Sequence, residues 1–203
     1  CVTTCITSTL SDTSTPLLVT TNSFLNCYCT STATSTADEE ILNVSIGSLN
    51  NSSTCTTTGG AGSTTQMYSN YTALPAAQLT QLVTYPMTVQ VGTCGTGNYN
   101  NWTKVYIDYN RNGLFTDPGE EVYSAAGANA GANLHSFNVN IPISSSLGIT
   151  RMRVITVETT VATGVSPCGT YTWGETEDYY VELVANTPCN GQPTGGTTVT
   201  SNA

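Results

Sequence analysis

Trp102-Thr-Lys104-Val105-Tyr106-Ile107-Asp108-Tyr109-Asn110-Arg-Asn112-Gly113-Leu114-Phe-Thr-Asp117-Pro-Gly-Glu120-Glu121 holds two readings in twenty residues. Its first half sets Val105, Ile107 and Tyr109 against Lys104, Tyr106 and Asp108, the period-two pattern of a strand with one face on a core. Its second half places oxygen-bearing side chains at alternate positions, then a glycine, then more acids. Asp108 ends the strand, so its carboxylate emerges at a sheet rim. Asn110 and Asn112 add amide oxygens, Gly113 permits a left-handed turn, Leu114 offers a backbone carbonyl, and Asp117 with Glu120 or Glu121 closes the shell. Such a loop suits one hard cation, Ca2+, because all the donors are oxygens. Glu121, Glu175, Glu177 and Asp178 are outlying candidate ligands. Asparagine at the fifth position leaves less negative charge than aspartate, which predicts weak binding. The competing reading is a plain hairpin, since Asn112-Gly113 is itself a turn signal.

The same period recurs outward from this strand. Ile41, Val44 and Ile46 alternate imperfectly, Met87, Val89 and Val91 cleanly, and Phe137, Val139 and Ile141 again. Arg151, Arg153 and Ile155 oppose Met152, Val154 and Thr156, and Tyr179 to Val184 supplies a last run. Glycine-, serine- and asparagine-rich joints separate the runs, and Ala125 to Ala132 reads as a loop rather than a helix. About six or seven strands of this kind predict an all-β chain, an antiparallel β-sandwich of jelly-roll or immunoglobulin-like two-sheet architecture with long loops.

Composition agrees. The 203 residues include 39 Thr, 19 Ser and 18 Asn, while only 8% are charged. Threonine favours strands, serine and asparagine favour turns, and helix-forming lysine and glutamate are scarce. A net charge of −9 argues against nucleic acid as a partner. No apolar run is long enough for membrane insertion. Eleven of the thirteen acids fall in three clusters, Asp38 to Glu40, Asp108 to Glu121 and Glu175 to Glu182. Clustered like charges repel unless a cation sits among them, so the clustering hints at a metal.

Eight cysteines stand at positions 1, 5, 27, 29, 55, 94, 168 and 189, without zinc-type spacing and with a single histidine, His135. They read as disulfides and therefore as an oxidising, extracellular or cell-surface location. Cys55 with Cys94 follows from order alone. Cys27-Tyr-Cys29 lacks the βαβ context of a redox pair. No signal peptide and no initiator methionine appear, so the chain is expected to be a window of a longer secreted protein. Residues 1–22 read as closing strands of an upstream module, 23–186 as the main sandwich, and 187–203 as a linker or first strand of the next module.

Trp173-Gly174-Glu175-Thr176-Glu177-Asp178-Tyr179-Tyr180 packs acids and aromatics together. A bare reading opens a strand at Gly174, with its acids outward and Tyr179 inward. A glycosidase reading needs two carboxylates across a cleft. A third reading pairs Glu175 or Asp178 with Arg151 or Arg153. No nucleophile elbow, zinc-protease helix or phosphate loop occurs, so the expectation is a protein that is not an enzyme.

Gly174 to Asp178 resembles the Gly-Glu-Val-Glu-Asp signature of GEVED domains, found in secreted Bacteroidota proteins. The resemblance extends over residues 28–184 through Tyr28-Cys29, Glu40-Ile41 with Val44, Ile107 to Asn110, Ile141-Pro142, Thr150 to Val154 and Pro167-Cys168. Thr176 stands where the family has valine, and Asn112 where it has aspartate; the second change bears on metal affinity. The resemblance implies a calcium-holding β-sandwich inside a multidomain adhesin or beside a peptidase domain, with Cys29 paired to Cys168. It also makes the flanking pieces immunoglobulin-like. Cys1, Cys5 and Cys189 are left to partners outside this window, and Cys27 stays open. Expected partners are neighbouring modules or other copies of the polypeptide. The alternative is a surface polysaccharide, stacked on by Tyr68, Tyr71, Tyr99, Trp102, Tyr171 or Trp173.

Overall fold

A computed structural model describes residues 2–4, 11–13, 23–36 and 39–187. Strand-forming runs account for nearly all of its regular structure. In chain order they are β1 (Val2–Thr4), β2 (Ser11–Thr13), β3 (Ser31–Ala33), β4 (Glu39–Ile46), β5 (Leu49–Ser52), β6 (Tyr68–Asn70), β7 (Ala77–Thr80) and β8 (Thr84–Thr93). There follow β9 (Asn100–Ile107), β10 (Glu121–Ser124), β11 (Asn129–Ala130), β12 (Asn133–Asn140), β13 (Gly148–Glu158), β14 (Gly169–Tyr171) and β15 (Gly174–Val184). Strand β1 pairs with β2, away from the rest of the sheet pairings. The remainder of the two expected end pieces, with Cys1, Cys5, Asp38 and Cys189, lies outside the described residues.

Two sheets face each other. One runs β12-β8-β4-β5; the other runs β10-β9-β13-β15-β6, with β11 also on β9 and β7 also on β15. Pairing is antiparallel through the body of both. The exception is the edge of the larger sheet, where β6 and β7 add to β15 in parallel. The chain crosses there from β5 to the opposite sheet, so it arrives in the same direction as β15. A bulge between Ile41 and Asn43 in β4 accounts for the imperfect alternation of that run.

The inter-sheet core contains the residues marked by period two: Ile41, Val44, Ile46, Met87, Val89, Val91, Val105, Ile107, Met152, Val154, Val139 and Ile141. Each such side chain contributes about 1.5–3 kcal/mol on burial. The outward face of the larger sheet is buried as well. Tyr106, Ile155 and Val157 lie under Phe115 and Val165, with Tyr28, Trp102 and Tyr171 packed beside them. The segment from Tyr28 through β3 and the loop around Cys168 form this third layer. Cys29 is joined to Cys168 at 2.01 Å, and Cys55 to Cys94 at 1.95 Å. Cys27 is a free, exposed thiol.

Candidate functional site

Strand β9 ends at Ile107 and delivers Asp108 to the rim, but the carboxylate turns inward and is fully buried. Its Oδ1 accepts the N–H groups of Arg111 (2.6 Å) and Asn112 (3.2 Å); its Oδ2 accepts Gly113 N–H (2.9 Å) and the Tyr28 hydroxyl (2.7 Å). The following turn is built to supply those donors. Arg111 adopts φ +61° and Gly113 φ +85°, which curls successive amides around one oxygen pair. Arg111 is held there by a bond from its Nε to Ile149 O (3.1 Å), a bond from Nη1 to Leu147 O, and the Phe24 ring beneath its guanidinium. The turn and the acid define each other.

The other loop residues repeat this economy. Asn110 Oδ1 accepts Asn112 N–H at 3.1 Å, and Asn112 Oδ1 accepts Leu114 N–H at 2.9 Å. Both amide nitrogens donate to Asp117 Oδ2, at 3.0 and 2.7 Å. Glu120 is buried and caps Tyr109, Asn110 and Asp117 N–H groups at 3.0, 3.4 and 3.3 Å. Burial pushes its carboxyl up to about 7, opposed by the backbone bond from Asn110, and raised further by the charges of Asp108 and Asp117. Leu114 is exposed. The structure thus brings Asp108, Asn110, Asn112, Asp117 and Glu120 into one loop. It does not bring Glu121, which leaves on the outer face to meet Lys104 Nζ at 2.9 Å and Tyr106 at 3.3 Å.

The second acid cluster behaves differently. Strand β15 opens at Gly174, φ +126°, where a Cβ would fall 2.1 Å from Thr156 O. Only glycine permits β13 and β15 to close at that point. Beyond it the acids are not outward, contrary to the bare reading. Alternation places Glu175 and Glu177 on the same face as Tyr179, and that face looks into the space between the sheets; all three are essentially inaccessible. Glu175 accepts Ile41 N–H (3.0 Å) and the Ser69 hydroxyl (2.7 Å), and Glu177 accepts the Tyr179 hydroxyl (2.7 Å). Glu40 of β4 reaches Glu175 from the opposing sheet. Burial pushes Glu40 up to about 9, with the charge of Glu175 and a hydrogen bond to it adding. Burial likewise raises Glu175 to about 7, less because Ser69, Ile41 and Glu40 all donate to it. The hydrogen bond between Glu40 and Glu175 needs a proton, and burial drives both acids toward carrying one. Glu177 is raised by burial and by the charge of Glu175.

Asp178 has the opposite parity and faces the third layer. Arg153 holds it with Nε to Oδ1 and Nη2 to Oδ2, both 2.7 Å, and Arg151 Nη1 adds a contact at 3.3 Å. Tyr68 donates to Oδ2 at 3.0 Å. Arg153 Nη1 also donates to Cys29 O and Pro167 O, at 3.0 and 2.6 Å, which binds the disulfide-linked segments to the sheet. Pairing of Glu175 or Asp178 with Arg151 or Arg153 is one of the sequence alternatives, and Asp178 takes both arginines. The inward glutamates are not among those alternatives, because charged residues in a strand read as solvent-facing.

Among the described residues, no three His, Cys, Asp or Glu side chains are gathered so as to hold a metal ion. No helix among them is long and apolar enough to cross a membrane. Of the aromatics considered for sugar stacking, Tyr71 is buried against Tyr179, while Tyr99 and Trp173 are exposed.

The GEVED-domain family model matches residues 102–182. No curated protein matches the chain. Among solved structures, the CARDB domain of a Pyrococcus furiosus protein, crystallised in complex with di-metal ions, is 15% identical with a TM-score of 0.33, covering 55% of this chain and 87% of its own. A Niemann-Pick type C2 protein from the Japanese carpenter ant is 4% identical with a TM-score of 0.39, covering 74% and 96%. Neither likeness is close enough to carry a residue-level argument. The matched span includes the β9 strand, the acidic loop and the buried signature strand, and over these residues the chain is similar to GEVED domains.

Proposed function

We propose that this chain is a non-catalytic, disulfide-braced extracellular module, a structural spacer or filament-building unit of a large surface adhesin. One observation carries the reading. The acids that stand out in the sequence, Asp108, Glu120, Glu175, Glu177 and Asp178, are all buried and spent on holding backbone or neighbouring strands. Side chains used this way fix a shape. Two disulfides support the extracellular placement. Residues 1–22 and 187–203 belong, in this reading, to neighbouring modules, and those modules or other copies of the polypeptide are the partners.

Calcium enters as the finer part of the proposal. Asn110, Asn112 and Asp117 already meet at one carboxylate oxygen. Their oxygens, with the Leu114 carbonyl, fit a hard cation; Asp108 and Glu120 back them. Bound there, the ion would cross-link the loop and replace amide-to-carboxylate bonds. The shell would be poor in carboxylates, so its affinity would be low. Thermal unfolding in EGTA and in millimolar Ca2+ tests this: at free Ca2+ about 100 times the dissociation constant, stabilisation should reach about 2.7 kcal/mol. Asp117→Ala should abolish the response. A melting curve indifferent to Ca2+ removes calcium from the proposal. Melting that is also indifferent to reductant removes the spacer reading itself. The polysaccharide alternative is favoured by a single feature, a hydroxyl-lined cavity over Arg151 and Arg153.

A further inference from the structure

We infer that this cavity is a binding site for an acidic sugar, a pyranose bearing a carboxylate. The inference specifies a ligand for the polysaccharide alternative and is independent of the spacer reading. The cavity measures about 290 Å³ and lies between the Tyr28–Thr32 segment, the loop at Gly62–Thr64, Tyr68 of β6, and Arg151 and Arg153 of β13. That volume is at the small end of ligand sites and suits one sugar ring.

Charge decides the class. The chain carries four cationic side chains and a net charge of −9, yet two of the four line this one cavity. Lys104 is paired with Glu121, and Arg111 is folded onto backbone carbonyls. Against Arg151 and Arg153 stands one carboxylate, Asp178, which takes three guanidinium contacts and a Tyr68 hydroxyl. Asp108 lies behind Tyr28, wrapped by three backbone N–H groups and that tyrosine's hydroxyl. Counting only the carboxylates in contact with these two guanidiniums, one positive charge is unmatched at the cavity. Arg151 is the group to supply it. Its Nη1 gives one bond to Asp178 and its Nη2 one to Leu25 O, and each terminal nitrogen carries a second N–H. The guanidinium is stacked 4.3 Å over the Tyr28 ring, which fixes its plane for a bidentate acceptor.

The rest of the wall matches sugar hydroxyls rather than a bare anion. Thr30, Thr32 and Thr64 line the cavity, and threonine hydroxyls both donate and accept. At Gly62 a Cβ would meet nothing within 4 Å, so the loop leaves open space there.

The test is NMR titration of the oxidised module with glucuronate, glucose and acetate, read at the amides of Tyr28–Thr32, Gly62–Thr64 and Arg151–Arg153. Glucuronate should bind with a dissociation constant on the order of 1 mM, and glucose and acetate each about tenfold more weakly. Thr64→Trp, at an exposed loop position, should fill the cavity and abolish the glucuronate shifts while leaving the rest of the spectrum in place. Arg151→Gln should reduce glucuronate binding to the glucose level. Equal binding of acetate would make the site a simple anion hole, and equal binding of glucose would remove the role of charge. Either result, or no localised shifts with glucuronate, overturns the inference, and none of them touches the melting response to reductant.

Discussion

The acid clusters at Asp108–Glu120 and at Glu40 with Glu175 and Glu177 resemble each other in sequence but fold into opposite electrostatic settings. In the rim loop every buried carboxylate is surrounded by N–H groups that the turn itself supplies, and these offset part of the cost of burial, though burial still lifts Glu120 to about 7. Between the sheets the glutamates meet hydroxyls, one backbone N–H and one another. The four cations are engaged elsewhere: Lys104 with Glu121, Arg111 with carbonyls, Arg151 and Arg153 with Asp178. Charge there must be removed rather than matched, and burial raises all three acids toward their protonated forms. Acidity in a sequence is therefore not a statement about charge in the fold. Where backbone donors converge, hydrogen bonds offset part of the cost of burying an acid; where strands merely face each other, burial and like charge push it toward the neutral form.

Each region is closed by its own disulfide, and breaking these gives the largest expected contrast. Cys29–Cys168 spans a sequence separation of 139 and covers the Asp178 and Asp108 side; Cys55–Cys94 spans 39 and sits beside Glu40. Chain entropy predicts losses of about 5 and about 4 kcal/mol for the paired serine variants, measured by urea unfolding. Asp108→Ala should follow, at about 3 kcal/mol, because three backbone N–H groups and the Tyr28 hydroxyl lose their acceptor. Loss below 1 kcal/mol would show that the loop does not depend on its acid.

Acidity itself supplies the next contrast. Glu40 and Glu175 bind their proton more tightly folded than unfolded, so their contribution is complete below about pH 4.5 and is lost as pH rises through about 7 and then about 9. The melting temperature should fall by at least about 2–4 °C across that alkaline range, the equivalent of 1 kcal/mol. Glu40→Gln, which fixes the neutral form, should flatten that slope; an unchanged slope would place the titration elsewhere. The smallest effect is expected below pH 5, where Glu40→Gln should melt within about 0.5 kcal/mol of the parent protein.

Much of this architecture was readable beforehand, because Val105, Ile107, Val89 and Val154 alternate as half-buried strands must. The third layer was harder. Tyr106, Ile155 and Val157 sit on the face opposite those residues, and a strand buried on both sides loses its alternation. The run Val154-Ile155-Thr156-Val157 carried that signal. Strands β6 and β7 were missed because three or four polar-containing residues in parallel pairing leave no period to detect. At the site, the loop's membership was legible from spacing, but the direction of its acids was not, since their partners are main-chain groups that spacing does not reveal. Glu175 and Glu177 misled for the reason that makes them informative: nothing local announces a glutamate that will face the space between two sheets.

The long disulfide has a mechanical corollary. If tension reaches this module through its ends, the covalent link from Cys29 to Cys168 carries the load past everything between them. Among the described residues, only those before Cys29 (β1, β2 and the lead at Ser23–Tyr28) and those after Cys168 (β14, β15 and the few residues beyond) can unravel. Roughly 480 Å of contour length, at about 3.5 Å per residue, is withheld from extension, so the module yields a short, abrupt lengthening and then behaves as an inextensible strut.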